Sequence, residues 1–289
     1  ERPLLWMIRS SPPSWLFGTI HLPDERLNTL PAVVESAFEQ STAFYAEIPL
    51  GSAMQLKTTR GMLRNDQRLL TQVLPPQTLA RLQLRLRSID PNLSVGEFIG
   101  MKTWAVMMSL LMLDHKARHP LGVPLDLRLY ELAQQAGKHT GGLESVQQQL
   151  AYFDQFSEQE QIGMLDNKLR QMDAAELRQT PLSEIMMQWY LRGEISSFAE
   201  MLEHYPISAD RAVQQRAEKR LISDRNKRMA VSIVEILRLH PGQSHFFAIG
   251  AAHLGGDKSV QHYLKQLGLA TRRIGAPASA TAERFPQHR

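Results

Sequence analysis

Two stretches near opposite ends of the chain carry the same arrangement of residue types. Gly18-Thr19-Ile20-His21 ends the apolar run Trp15-Leu16-Phe17, and Gly250-Ala251-Ala252-His253 ends Phe246-Phe247-Ala248-Ile249. Each reads as a short buried strand that breaks at a Gly and delivers a His just past the strand end. Glycine suits a place where the backbone must turn or come close to something else. Neutral imidazole is a common metal ligand and titrates near neutrality, so the repeat points to metal ligation or acid–base chemistry. Taken singly, each histidine reads equally well as an unrelated strand-end residue.

Two histidines rarely hold a metal unaided, so carboxylates are sought next. Glu47 closes the apolar strand Phe44-Tyr45-Ala46 and, as a buried acid, is either a ligand, a base or the partner of an arginine. Glu144 sits in a Gly-Gly-Leu-Glu turn, where it also suits a helix amino terminus. Asp126, after Gly122-Val123-Pro124, reads as a helix-start residue. Arg225-Asn226 lies inside a long helical pattern where Asn is a poor helix former; the pair either faces a pocket or faces solvent. His115 and His119 have the spacing of a zinc-protease helix, but no Glu follows the first and Pro120 follows the second, so they read as a basic loop. His245 reads as a strand-start residue, and the Met-rich stretch from Met101 to Met112 as core packing.

The elements that must position these residues give an α/β (α+β) fold. Leu4–Ile8 and Trp15–Ile20 form a hairpin signal around Pro12-Pro13, a helix follows Pro31, and Ala43–Ile48 is a further strand. His245–Ile249, a helix from Lys258 to Leu267 and a strand from Ala270 to Ile274 close the chain. A mixed central sheet is thus expected from residues 1–50 and 243–275. Residues 53–240 form a large, mostly helical insert with nearly continuous helix from Val95 to Leu113, helix from Leu125 to Ala136 and one long helix over 208–239. His139–Glu144 is a possible short strand and turn inside it. One catalytic domain over 1–275 with a flexible tail at 276–289 is expected.

Composition narrows the function. The 289 residues are 43% hydrophobic and 21% charged, as in an ordinary globular protein, with no apolar stretch of membrane-spanning length. Net charge is only +4 and the cations are dispersed among acids, which disfavours nucleic acid as a partner. Cysteine is absent, excluding disulfides, thiolate metal sites and a Cys nucleophile. There is no nucleophile elbow, phosphate-binding glycine loop or dinucleotide fingerprint. Opening at Glu1 without Met or an apolar leader reads as a mature or trimmed form.

These motifs together resemble the TraB/PrgY/GumN superfamily, which includes the Tiki proteins. The resemblance rests on Pro12-Pro13-Ser14-Trp15-Leu16-Phe17-Gly18-Thr19-Ile20-His21, Tyr45-Ala46-Glu47, Gly122-Val123-Pro124-Leu125-Asp126-Leu127, Thr140-Gly141-Gly142-Leu143-Glu144, Arg225-Asn226 and Phe246 to His253, and spans about residues 4 to 275. It implies a metal-dependent protease, favouring manganese or cobalt, acting on a peptide or protein substrate; the animal relatives trim the amino terminus of Wnt. It implies metal ligation by His21, His253, Glu144 and Glu47, and catalytic roles for Glu47, Arg225 and Asn226. Of the two acids, Glu47 is preferred as general base and Glu144 as ligand. Nitrogen and oxygen donors without thiolate also admit zinc or iron. The lack of cysteine and of a membrane anchor points to a bacterial relative with a substrate other than Wnt, and the resemblance implies export of the full-length protein. The alternatives are a metal-independent esterase using His21 as base, and a peptide-binding module without turnover.

Overall fold

The computed structural model describes residues 2–275; the tail expected over 276–289 lies outside the described residues. Six strands, β1 (Leu5–Ile8), β2 (Ser14–Thr19), β3 (Ala43–Ala46), β4 (His139–Gly142), β5 (His245–Gly250) and β6 (Thr271–Arg273), form one sheet in the order β4-β3-β5-β2-β1-β6. β2, β3, β4 and β5 run parallel, while β1 and β6 are antiparallel at one edge. The fold is therefore mixed α/β, with strands from both ends of the chain. The fully buried run Phe246-Phe247-Ala248-Ile249 occupies the middle of the parallel part, where both faces are covered.

One strand comes from the middle of the chain. Residues 139–142, two of them glycine, pair with β3 from Ala43↔His139 to Ala46↔Gly142. This edge strand is half-exposed, which is why its sequence lacks the apolar signal of the others.

The remainder of residues 53–240 is helical, as the apolar periodicity predicts, with two differences. The helix expected from Val95 to Leu113 is broken: a 3₁₀ turn covers Val95–Phe98, Met101 bridges to Leu63, and the helix proper is Thr103–Arg118. The backbone N–H of Lys102 donates to the Met62 carbonyl and that of Arg64 to the Gly100 carbonyl, so pairing with a distant segment outcompetes local helix at Gly100, a weak helix former. The helix expected over 208–239 is Arg211–Ala217 and Asp224–Leu239 joined by a π-helical segment, Glu218–Ser223. A π segment shifts the phase of the faces that follow it and recurs at functional sites.

Two apolar clusters result. One surrounds the sheet and includes Phe44, Phe246, Phe247 and Leu16; the other, built from Leu82, Leu86, Leu110, Leu165 and Leu169, lies among the insert helices. Among the described residues no helix is long and apolar enough to cross a membrane.

Candidate metal centre

The four parallel strands end at the same edge, and each delivers one polar residue there. In spatial order, Glu144 follows β4, Glu47 follows β3, His253 follows β5 and His21 follows β2. The carboxyl ends of parallel strands are where α/β sheets bind ligands. Residues far apart in sequence thus stand side by side.

Glu47 is the hub. Its Oε1 accepts the Gly250 N–H at 2.7 Å and lies 3.7 Å from Nε2 of His253 and 3.9 Å from Nε2 of His21. Its Oε2 accepts from Arg225 Nη2 at 2.5 Å and from Gln149 Nε2 at 3.2 Å. Burial alone would raise the carboxyl pKa, but Arg225, then His253, His21 and the Gly250 amide, override it and hold Glu47 well below the usual carboxylate range. Glu47 is ionised.

Each histidine has its outer nitrogen engaged and its inner nitrogen turned to Glu47. The Nδ1 of His253 is 2.5 Å from Asn226 Oδ1, and the Asn226 amide nitrogen donates to the Lys258 carbonyl at 2.7 Å. Because that oxygen can only accept, Nδ1 carries the proton and Nε2 keeps its lone pair. On the other side, Nδ1 of His21 lies 3.2 Å from Asp126 Oδ1, an oxygen with no hydrogen-bond partner of its own. An imidazole whose far nitrogen is held by an oxygen is how proteins orient a metal-binding ring. Asp126 is the residue that sequence reasoning passed over. Its helix-start explanation was sufficient locally, and only the fold brings it to His21.

Arg225 and Glu144 back this row. Arg225 donates to Glu144 Oε2 through Nε at 3.0 Å and Nη2 at 2.9 Å, while Tyr152 donates to Glu144 Oε1 at 2.9 Å. Burial opposes the charge of Arg225, but the two carboxylates outweigh it and keep the guanidinium protonated. Its Nη1 is 3.2 Å from His253 Nε2, on the lone-pair side. Arg225 and Asn226 are both buried, consecutive in the helix Asp224–Leu239 that follows the π segment.

The glycines of the two turns act by close approach, since neither has a positive φ. A Cβ on Gly250 would lie 3.0 Å from Glu47 Oε1 and 3.5 Å from His21 Nε2, inside the space the two rings and the carboxylate face. On Gly18 it would lie 2.8 Å from both Leu254 Cδ1 and Leu4 Cβ, so this glycine serves packing. The turns are also offset: Gly18 pairs with Ile249, and Thr19 with Gly250.

This donor set fits a divalent ion. Nε2 of His21 and Nε2 of His253 each lie within reach of one ionised carboxylate oxygen, at 3.9 and 3.7 Å, without thiolate, and a side chain at Gly250 would intrude between them and that oxygen. Glu144 is brought to the same edge but is engaged by Arg225 and Tyr152 rather than by either histidine. A groove of about 550 Å³ opens beside Glu144, lined among others by Gln148, Lys227, Arg228 and Val231. His115 and His119, expected as a basic loop, are instead at the end of the helix Thr103–Arg118, stacked ring on ring.

The carboxyl edge of the parallel strands thus assembles two histidines and two glutamates from four segments, and comparison with known proteins gives the family. The chain belongs to the TraB/PrgY/gumN family, whose model it matches over residues 4–273. It is similar to Metalloprotease TIKI1 of Xenopus tropicalis, 30% identical over 308 residues that cover 91% of this chain and 60% of that protein. The same-named proteins of Danio rerio and Homo sapiens are each 28% identical, over 91% of this chain and 61% and 60% of their own lengths. The chain therefore spans about three-fifths of the length of these curated relatives. No solved structure matches it.

Proposed function

We propose that this protein is a metal-dependent hydrolase of peptide bonds in peptide or protein substrates. The observation that carries the reading is the convergence of Nε2 of His21 and Nε2 of His253 on Oε1 of Glu47, with both Nδ1 positions held from behind. The relatives' printed name, metalloprotease, supports it. His21, His253 and Glu47 would hold the ion; manganese or cobalt is the family-based choice, and zinc or iron suits the same donors. A bound divalent ion supplies Lewis acidity toward the scissile carbonyl and acidifies a water.

The chain's own residues then have distinct tasks. Asp126 and Asn226 fix the ring orientations, and Asn226 leaves Nε2 of His253 unprotonated. Glu47 is the carboxylate near both rings, so it is the one placed as ligand and as acceptor of a proton from a water between them. Glu144, assigned to ligation on sequence grounds, acts through Arg225, which it holds in place. Arg225 keeps Glu47 ionised and offers positive charge to a developing oxyanion. The groove beside Glu144 would receive the extended substrate.

Metal content and peptide cleavage are measured for the wild type and for His21→Ala/His253→Ala. The reading requires near-stoichiometric metal and turnover in the first and neither in the second. A double variant that keeps both ends the assignment. One observation favours a second reading: His21 with Asp126 at 3.2 Å forms a base–carboxylate pair that needs no ion. Ester hydrolysis that survives exhaustive chelation would select it.

A further inference from the structure

The His115-x-x-x-His119 spacing, set aside in the sequence for want of a following Glu, has an unexpected setting. Both residues lie on one face of the helix Thr103–Arg118 and its cap, as i, i+4 spacing dictates. Two carboxylates from other segments meet them there. Asp24 is contributed by the segment just after His21, and Glu184 by the first turn of the helix Leu182–Arg192. One donor atom from each of Asp24, His115, His119 and Glu184 lies within 4.8 Å of all the others.

Individual distances tighten this. His115 Nε2 is 2.8 Å from Asp24 Oδ2; His119 Nδ1 is 3.7 Å from the same oxygen, and His119 Nε2 is 3.8 Å from Glu184 Oε2. His115 and Asp24 are fully buried, and His115 Nδ1 has no hydrogen-bond partner, an uncommon condition for a buried imidazole. Burial favours neutral His115, the ligating form, against the opposing pull of Asp24.

The charges do not balance without help. Arg26 bridges the two carboxylates, donating to both oxygens of Asp24 and both oxygens of Glu184. Glu25 adds a third carboxylate, 3.2 Å from His119 Nδ1. One guanidinium thus serves two of the three acids; Asp24 Oδ1 is filled by the Arg26 backbone N–H and Nε, so Asp24 Oδ2 is the oxygen that would meet an ion, in place of its contact with His115 Nε2.

We propose that Asp24, His115, His119 and Glu184 form a structural zinc site, distinct from the centre at the carboxyl edge of the sheet. Two histidines and two carboxylates make the closed four-ligand set of a structural tetrahedral site, with no position left for substrate. Bonds of about 2.0–2.2 Å place tetrahedral ligands about 3.4 Å apart, so the widest pairs would draw together by up to about 1.4 Å and the His115–Asp24 pair would open by about 0.6 Å. Zinc here would tie the segment that leaves His21 to two insert helices. Ion pairs of Asp24 and core packing of Leu22 and Leu27 already hold that segment, and an ion would add to them.

The test uses the full chain carrying His21→Ala/His253→Ala, which removes the other centre from the count and separates this inference from the proposed hydrolase activity. Zinc is titrated calorimetrically and retained metal measured after dialysis. One equivalent of zinc is expected, with a zinc-dependent rise in Tm and a tetrahedral ligand-field spectrum when cobalt replaces zinc. Adding His119→Ala should weaken zinc binding by more than about 100-fold, beyond the effect of losing an outer-sphere partner. Glu184→Gln should weaken it measurably. His115 is fully buried; if its variant fails to fold, His119→Ala and Glu184→Gln decide. A folded double variant that binds no zinc, or binding indifferent to His119→Ala, would overturn the site and leave an ion-pair cluster.

Discussion

The two Gly-x-x-His turns begin with nearly the same sequence and end as opposite chemical environments. His253 is buried; burial first, and Arg225 second, push its pKa down to about 3, and Asn226 gives it a neutral partner. His21 exposes 53% of its side chain; Asp126 before all else, against the effect of burial, raises its pKa to about 9, a pull that water at the exposed ring softens. Strand position sets the difference, because β5 is flanked on both sides by parallel strands whereas β2 borders the antiparallel edge. A repeated motif therefore fixes which atom is delivered and leaves its proton affinity to the neighbours.

The largest expected effect breaks what the turns share. Arg225→Met strands Glu47 and Glu144 as adjacent buried charges, which should cost about 3–5 kcal/mol in urea unfolding and abolish cleavage. Full stability in that variant would show that the guanidinium does not hold the carboxylates.

Removing the rings separates the turns. His253→Ala leaves a cavity and unpairs Asn226, for about 2–4 kcal/mol of lost stability, whereas half-exposed His21→Ala should stay within about 1 kcal/mol. Both should lose the metal of the sheet-edge centre. Equal stability losses would erase the asymmetry.

The glycines split in the opposite sense. Gly18→Ala should cost about 1–3 kcal/mol through its contacts with Leu254 and Leu4. Gly250→Ala should cost less stability but lower metal affinity and turnover, because its methyl meets Glu47 and His21. Asp126→Asn and Asn226→Ala, acting behind the rings, should each weaken metal binding by about 10–100-fold, read by calorimetry.

A pH profile of the metal-free protein reads the same asymmetry without a change in the ring count. Folding depresses the His253 pKa from 6.5 to about 3, so its contribution is lost as pH falls through that window. Folding raises that of His21 from 6.5 to about 9, so its contribution is lost as pH rises through that window. Considering these two groups alone, stability peaks near pH 6.5. His253→Ala should flatten the acid limb and His21→Ala the alkaline limb; limbs that fail to separate would mean other groups dominate.

Much of this was legible in the chain. Apolar runs ending in Gly-x-x-His located β2 and β5, and an acid closing an apolar strand marked Glu47, because burying such residues demands a partner. Arg225-Asn226 stood out because Asn is a poor helix former inside a long helical pattern. Less legible were β4, whose edge position needs little apolar content, and the break at Gly100, which depends on pairing with residues 62–64. Asp126 and His115 were hidden because a sufficient local explanation masked a distant partner.

Sequence by itself determined the family, the mixed α/β class and which residue types gather at the strand ends, since periodicity and strand-breaking glycines are local properties. Tertiary structure alone decided that Glu47 rather than Glu144 stands before both imidazoles, that Asp126 and Asn226 lie behind them, and that Asp24 and Glu184 meet His115 and His119. These outcomes follow from strand order and helix phase. They depend on distances across the fold, which packing sets and no local pattern encodes.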